Sequence, residues 1–479
     1  LSDVAVETYA LDDVSGNEAV LTTNEQMTAY AEAGVRNVTA DNLLAVNAQI
    51  RKQQAADGNT DNLDSVADLQ AQVVAADNAL AYLVSAVQVE TFALDDVSGN
   101  EAVLTTNEQL AAYADAGVRD VTEDNLLAVN AQLRLETTVT NKDSVADIQT
   151  LVGLAESALD DLVNTVQANT TAPVSGATGS ELLLADQLAA YEAAGVRAVT
   201  ADNLLAVNAQ MRLETAAADK DSVADVQAIV ALAESALDYL VSTIAPLNST
   251  AATNAAVQLA AYSAAGITGV TPDNLLAVNA QIRKQQAADG NTDNLETVSD
   301  LQAQVTAGND ALSAILTTIA PNTDTVTLEA QAQLDAYVDA GVLNVTAENL
   351  LAINAQIRKQ QAADGNTDNL DTVADLQIQV TAGNNALAYI LSDVAVETYA
   401  LDDVSGNEAV LTTNEQVTAY ADAGVLNVTA DNLLAVNAQL RLETTVTNKD
   451  SVADIQTIVG LADDAIALIE EYNNGDGAT

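Results

Sequence analysis

The residues best suited to chemistry sit in ADGNTDNLDSVAD, where Asp57, Asn59, Asp61, Asp64 and Asp68 place oxygen donors at positions 1, 3, 5, 8 and 12 of a loop. A hard cation such as calcium is held by carboxylate and amide oxygens at spacings of this kind. The pattern recurs at Asp289, Asn291, Asp293, Glu296 and Asp300, and again at Asp364, Asn366, Asp368, Asp371 and Asp375. Other features count against a metal. Position 6 is Asn62 rather than the glycine a sharp calcium loop needs, and position 12 is aspartate rather than a bidentate glutamate. Elsewhere the stretch is replaced by ETTVTNKD or ETAAADKD, whose lysine repels a cation. The donors therefore read first as polar loop residues that cap the helix after them, with calcium as the alternative and no other cofactor implied.

A second recurring polar residue is Asn47, with counterparts Asn130, Asn208, Asn279, Asn354 and Asn437, each among apolar positions of a helical stretch. No other reactive group recurs with it. A buried asparagine that satisfies a backbone group of a neighbouring helix and fixes register is the expected role. The chain of 479 residues has no cysteine, histidine or tryptophan, so disulfides, thiolate or imidazole metal sites and the common nucleophile and base pairs are missing. Scattered carboxylates remain, but near-identical repeats offer no unique pocket, and an enzyme is not expected.

These residues are positioned by a repeat. DNLLAVNAQ begins at Asp41, Asp124, Asp202 and Asp273, recurs as ENLLAINAQ from Glu348, and returns at Asp431. The spacings of 83, 78, 71, 75 and 83 add to 390, the distance that separates the verbatim copies LSDVAVETYALDDVSGNEAVLTTNEQ at Leu1 and Leu391. Tyr30, Tyr113, Tyr191, Tyr262, Tyr337 and Tyr420 keep the same intervals, each four residues before a glycine.

Each copy reads as three helices. In TTNEQMTAYAEAGV, Thr22 with Glu25 or Thr23 with Gln26 makes a capping box and Gly34 ends the segment, which predicts a helix over about 24–33. Thr39 then serves as N-cap of a second helix running to about Gln54. In the third, Val66, Leu69, Val73, Ala76, Leu80, Leu83 and Val87 alternate three- and four-residue steps, which is the apolar seam of one long helix. Half the residues are apolar, yet one phenylalanine and twelve tyrosines are the only aromatics, so the cores must be narrow. The expected fold is all-α, a tandem array of about six small three-helix bundles with a period of about 71–83 residues forming an elongated rod. The units are 21–87, 104–168, 181–246, 252–320, 325–394 and 411–472, with 1–20 the tail of a preceding unit plus linker and 473–479 an exit linker. Leu391 falls inside the end of a helix, so Leu1 is expected there too, and the chain is expected to be a window of a longer array.

The charge is lopsided, with 69 acidic and 15 basic residues and a net charge of −54. Such a surface suits neither nucleic acid nor an anionic membrane, and no apolar run reaches the roughly 18 residues that span a bilayer. The basic residues all fall in recurring slots: Arg51 and its five counterparts are expected to close the second helix, complementing its dipole and pairing with the acidic first turn of the next. An acidic exterior keeps a long repetitive protein from aggregating and suits a salty medium.

The AG[VI]xxVTxDNLLAVN core, followed by an Asp-rich loop and an Ala-rich helix, resembles the helical tandem-repeat regions of very large secreted surface and adhesin-like proteins of marine Gram-negative bacteria. The resemblance implies a spacer or fibre-forming role and supplies no catalytic residues. The expected function is an extracellular structural protein at the cell surface, a stalk or a filament built by self-association. The alternative is an adhesin-type module that recognises a ligand through the repeated acidic loops, with calcium as a participant.

Overall fold

The computed structural model describes residues 19–57, 63–91, 103–170, 182–244, 252–289, 295–324, 328–364, 370–399 and 410–473, with 4 and 6–9 near the N-terminus. Among these there are eighteen α-helices and no strand, so the described chain is all-α. Numbering the copies of DNLLAVNAQ from one to six, copy 1 carries α1 (Thr23–Glu32), α2 (Leu43–Asp57) and α3 (Val66–Tyr82). Copy 2 carries α4 (Thr106–Asp115), α5 (Leu126–Leu135) and α6 (Val145–Asn164), and copy 3 α7 (Leu184–Ala193), α8 (Leu204–Leu213) and α9 (Val223–Tyr239). Copy 4 carries α10 (Ala252–Ala264), α11 (Leu275–Asp289) and α12 (Val298–Ala314), and copy 5 α13 (Ala330–Asp339), α14 (Leu350–Asp364) and α15 (Val373–Tyr389). Copy 6 carries α16 (Thr413–Asp422), α17 (Leu433–Leu442) and α18 (Val452–Asn473). The chain divides into two compact units, Leu1–Ala236 with Ala264–Gly266, and Leu237–Ser263 with Ile267–Thr479.

In copies 1, 2 and 6 the first helix begins where a hydroxyl and a carboxylate trade hydrogen bonds, whereas in copies 3 and 5 it begins after Leu183 and Glu329 with no side-chain cap. Thr22 Oγ1 accepts from Glu25 N and the Glu25 carboxylate accepts from Thr22 N, which selects the first of the two capping boxes the sequence offers. These backbone and side-chain bonds to Thr22 hold the Glu25 carboxyl below its usual value. The helix stops as Gly34 takes φ +78°.

The second helix departs from expectation at both ends. It starts at Leu43 rather than just after Thr39, because Asn42 folds back on the preceding turn: its Oδ1 accepts from Thr39 N and its Nδ2 donates to Asn37 O. Its C-terminus has two settings rather than one near Gln54. Where the sequence reads QIRKQQAAD, good helix formers carry α2, α11 and α14 to 15 residues. Where it reads LRLE or, in copy 3, MRLE, α5, α8 and α17 stop after 10 residues. There a lysine reaches the terminal carbonyls, as when Lys142 Nζ donates to Leu133 O and Lys220 Nζ to Met211 O.

The third helix buries the predicted seam from Leu69 onward, while Val66 at its first turn is 46 % exposed. Leu69, Val73, Ala76, Leu80, Leu83 and Val87 are all inside. In copies 1, 3, 4 and 5 its last turn widens into a π-helical turn, at Leu83–Val87, Leu240–Ile244, Ile315–Ile319 and Ile390–Val394. The i to i−5 bonds from Gln88 N to Leu83 O and from Ala320 N to Ile315 O mark that turn. Leu391 lies inside one such turn, as its sequence context predicts. One third helix with its π turn, Val223–Ile244, is long and apolar enough by length and composition to cross a membrane. It carries Asp225, Glu234 and Asp238, and buries Val226, Val230, Ala233, Leu237, Leu240 and Ile244 as the other third helices do.

The packing is out of phase with the sequence copies. In the first unit α4 packs on α2 and α3, and α7 on α5 and α6; in the second, α13 packs on α11 and α12, and α16 on α14 and α15. The first helix of each of these copies thus closes the pair of helices of the copy before it. A core cluster in the second unit joins Leu351, Ala352 and Leu387 of copy 5 to Tyr420, Ala423 and Val436 of copy 6.

Candidate functional site

Two polar arrangements recur through the copies, one inside a copy and one between neighbours. Inside copy 1, Gln26 and Tyr30 lie four residues apart on α1, and Asn47 and Arg51 four apart on α2, so each pair shares a helix face. Tyr30 Oη donates to Asn47 Oδ1 at 2.7 Å, and Asn47 Nδ2 donates to Gln26 Oε1 at 3.0 Å and to Glu7 O at 3.2 Å. Gln26 Nε2 closes the chain of bonds on Leu21 O. Gln26, Tyr30 and Asn47 are fully buried, so each donor and acceptor that lost water has found a partner here. The same tyrosine–asparagine bond joins Tyr113 to Asn130, Tyr191 to Asn208, Tyr262 to Asn279, Tyr337 to Asn354 and Tyr420 to Asn437.

The arginines that close the second helices reach backbone carbonyls, a role the sequence did not suggest. Arg51 Nη1 donates to Glu7 O, Arg134 to Gln88 O and Glu90 O, and Arg358 to Ala320 O and Asn322 O. Their targets are carbonyls at or just past the ends of third helices, which a planar, always-charged fork can gather at once. Burial pushes the Tyr30, Tyr113, Tyr191, Tyr262, Tyr337 and Tyr420 phenols well above their ordinary value. It also lowers Arg51, Arg134, Arg212, Arg283 and Arg358. The linker is tied in as well: the Glu90 carboxylate accepts from Val103 N and Leu104 N, thirteen and fourteen residues on.

Between copies, the glutamine that ends DNLLAVNAQ points at the first helix of the next. Gln49 Nε2 donates to Asp115 O and Gln132 Nε2 to Ala193 O in the first unit, and Gln281 Nε2 to Asp339 O and Gln356 Nε2 to Asp422 O in the second. Beside it the backbones nearly touch. A Cβ on Gly117, at φ +75°, would lie 2.6 Å from Leu44 O; Gly195, Gly341 and Gly424 meet Leu127 O, Leu276 O and Leu351 O in the same way. A third strut is the bond from Val145 N to Asp41 O, repeated by Val223 N to Asp124 O, Val373 N to Asp273 O and Val452 N to Glu348 O.

One side-chain pair varies with the type of second helix. Long helices present Lys52, Lys284 and Lys359 to Asp115, Asp339 and Asp422 at 2.5 to 2.6 Å. In the short helix α5 the lysine position is Leu135, and the aspartate position opposite is Ala193. Arg119 of copy 2 also stacks on Tyr9, with its guanidinium carbon 3.5 Å from the ring centre.

The proposed calcium donors fall mostly outside the described residues: Asn59, Asp61, Asn291, Asp293, Asn366 and Asp368 do, as do the side chains of Asp57, Asp289 and Asp364. Asp64, Glu296 and Asp371 lie among the described residues, and the last donor of each loop is engaged in capping. Ser65 Oγ donates to Asp68 Oδ2, Thr297 Oγ1 to Asp300 Oδ2 and Thr372 Oγ1 to Asp375 Oδ2, each at 2.6 to 2.7 Å. Among the described residues no three or more carboxylates gather as a metal site would require. An open groove of about 740 Å³ in the second unit, lined by Gln356, Lys359, Tyr389, Glu415, Thr418 and Asp422 among others, holds the Lys359–Asp422 ion pair and a half-exposed phenol. The junction glutamines and the Gln26 set escaped the sequence reading, although glutamine stands four residues before every one of the six tyrosines. No family model, curated protein or solved structure matches the chain.

Proposed function

We propose that the protein is a structural spacer: six three-helix copies joined into a rod that serves, outside a bacterial cell, as a stalk or as the subunit of a filament. The observation that carries this reading is the repetition of one junction. The glutamine bond, the backbone contact at glycine and the strut to the third helix recur with nearly the same distances wherever one copy meets the next inside a unit. Polar atoms are used for holding neighbours together rather than for lining a pocket. The acidic surface, at −54 net charge, fits a protein that must stay extended and unaggregated in salt water. The resemblance to spacer regions of marine surface proteins points the same way.

A rod lengthens by a fixed step with each copy, whereas a globule grows only as the cube root of its mass. Deleting residues 126–203 removes one full period of 78 residues and joins Asn125 to Leu204, restoring the same local sequence. Small-angle scattering should show the maximum dimension of the shortened chain falling by about one sixth. A fall of only about one twentieth, as for a compact body, would sink the spacer reading.

A further inference from the structure

The glutamine bond and the glycine contact are shared by the junctions, so they cannot tell one copy from another. Two further positions can. The first pairs the residue after the second-helix arginine with the residue two before the glycine that ends the next first helix. Lys52, Lys284 and Lys359 face Asp115, Asp339 and Asp422, whereas Leu135 is followed by Ala193 and Leu213 by Ala264. At no junction does lysine meet alanine or leucine meet aspartate. The aspartate side chains are 28 to 31 % exposed and the lysines 55 to 59 %, so a carboxylate set beside leucine instead would lose water without gaining a partner. The second position lies two residues past the same glycine. There Arg119 of copy 2 covers Tyr9, from the linker ahead of copy 1. One copy on, Arg197 takes the place of Arg119 in the sequence, and Phe92, which lies outside the described residues, takes the place of Tyr9. The next three copies have Thr268, Leu343 and Leu426 there, and the linkers ahead of copies 3, 4 and 5 contain no aromatic residue.

We propose that these two positions form a matching code by which each copy accepts its own successor and rejects other first helices of the same sequence family, on this chain or on another. The inference rests on the junction that carries the spacer reading and adds selectivity to it. Taken together, the junction of copies 1 and 2 is ionic with a stacked arginine, and that of copies 2 and 3 apolar with an arginine. The junction of copies 3 and 4 is apolar without one, and the last two are ionic without one. Copy 1 therefore misfits the first helix of copy 3, where Lys52 would meet Ala193, and copy 3 misfits that of copy 5, where Leu213 would meet Asp339. Near-identical copies need such discrimination, because a misdocked helix buries almost the same surface as the right one and exchanges freely between copies or chains.

Two measurements on the full chain test the code. Hydrogen exchange can be followed on TNEQVTAYAD, a stretch unique to α16. Lys359→Leu should speed exchange there by about two- to five-fold, and adding Asp422→Ala should remove that loss by restoring an apolar match. A uniform chain supplies the second measurement. Leu135→Lys, Ala193→Asp, Leu213→Lys and Ala264→Asp make every junction ionic without changing net charge or adding apolar surface, and Arg119→Thr with Arg197→Thr erases the second position. This chain should melt close to the wild type, yet on dilution from urea it should give at least about twice the fraction of interchain species, read by sedimentation. The code is overturned if the uniform chain refolds as cleanly as the wild type, or if the effects of Lys359→Leu and Asp422→Ala merely add. Neither result bears on the length of the rod, by which the spacer reading stands or falls.

Discussion

Asn130 is the clearest case of a residue whose value lies in what it satisfies. Its amide receives Tyr113 Oη and donates to Gln109 Oε1 and Glu90 O, bridging two helices and the linker at one buried point. Asn130→Ala would strand three polar groups and open a cavity, so chemical denaturation should report a loss of about 2–4 kcal/mol from the region that holds it. Much of this was legible in the sequence, where Asn130 and its counterparts recur among apolar neighbours and point to a register-fixing amide. Its partners were harder to foresee. Gln109 reads as an ordinary helix residue, and Glu90 contributes its backbone, which no side-chain pattern reveals. The calcium loops show the converse: Asp68 has the spacing of a ligand, but the nearer Ser65 hydroxyl and backbone N–H engage its carboxylate first.

At the level of the helices, the three-helix rhythm and the apolar seam follow from spacing alone, because a helix must bury its stripe whatever lies beyond it. The phase of the packing did not follow. That α4 closes α2 and α3 depends on Gly117 letting two backbones meet, and a glycine before valine reads equally well as a simple helix stop. The two roles can be separated by substitution. Gly34→Ala and Gly117→Ala both force alanine to a positive φ, at a cost of about 1–2 kcal/mol. Only at Gly117 does the new methyl also strike Leu44 O, so its loss of stability on denaturant unfolding should be at least about twice that of Gly34→Ala. Equal losses would show that the close approach at the junction carries no weight. The two lengths of the second helix were likewise hidden, since the stop depends on Lys142 reaching back nine residues to Leu133 O.

Across the whole molecule, six buried phenols make folding sensitive to alkali. Their folded values are raised by burial above the unfolded value of about 10, so they favour the folded chain fully below that pH, and the advantage is lost as pH climbs toward the folded values. Circular dichroism should show melting temperature level from pH 7 to 9 and falling above about pH 10, with phenolate absorbance from these tyrosines rising together with the loss of helix. Absorbance that rises well before the helix signal falls would mean the phenols are reached without unfolding. The out-of-phase closure has a mechanical side as well. Because a copy's second and third helices are held shut by the first helix of its successor, pulling that helix away uncovers a core that belongs to its neighbour. A molecule under tension should therefore give way in sequence, one opening weakening the one beside it. Each step would pay out one period of chain, roughly 250 Å when extended, letting the molecule lengthen under load before it breaks.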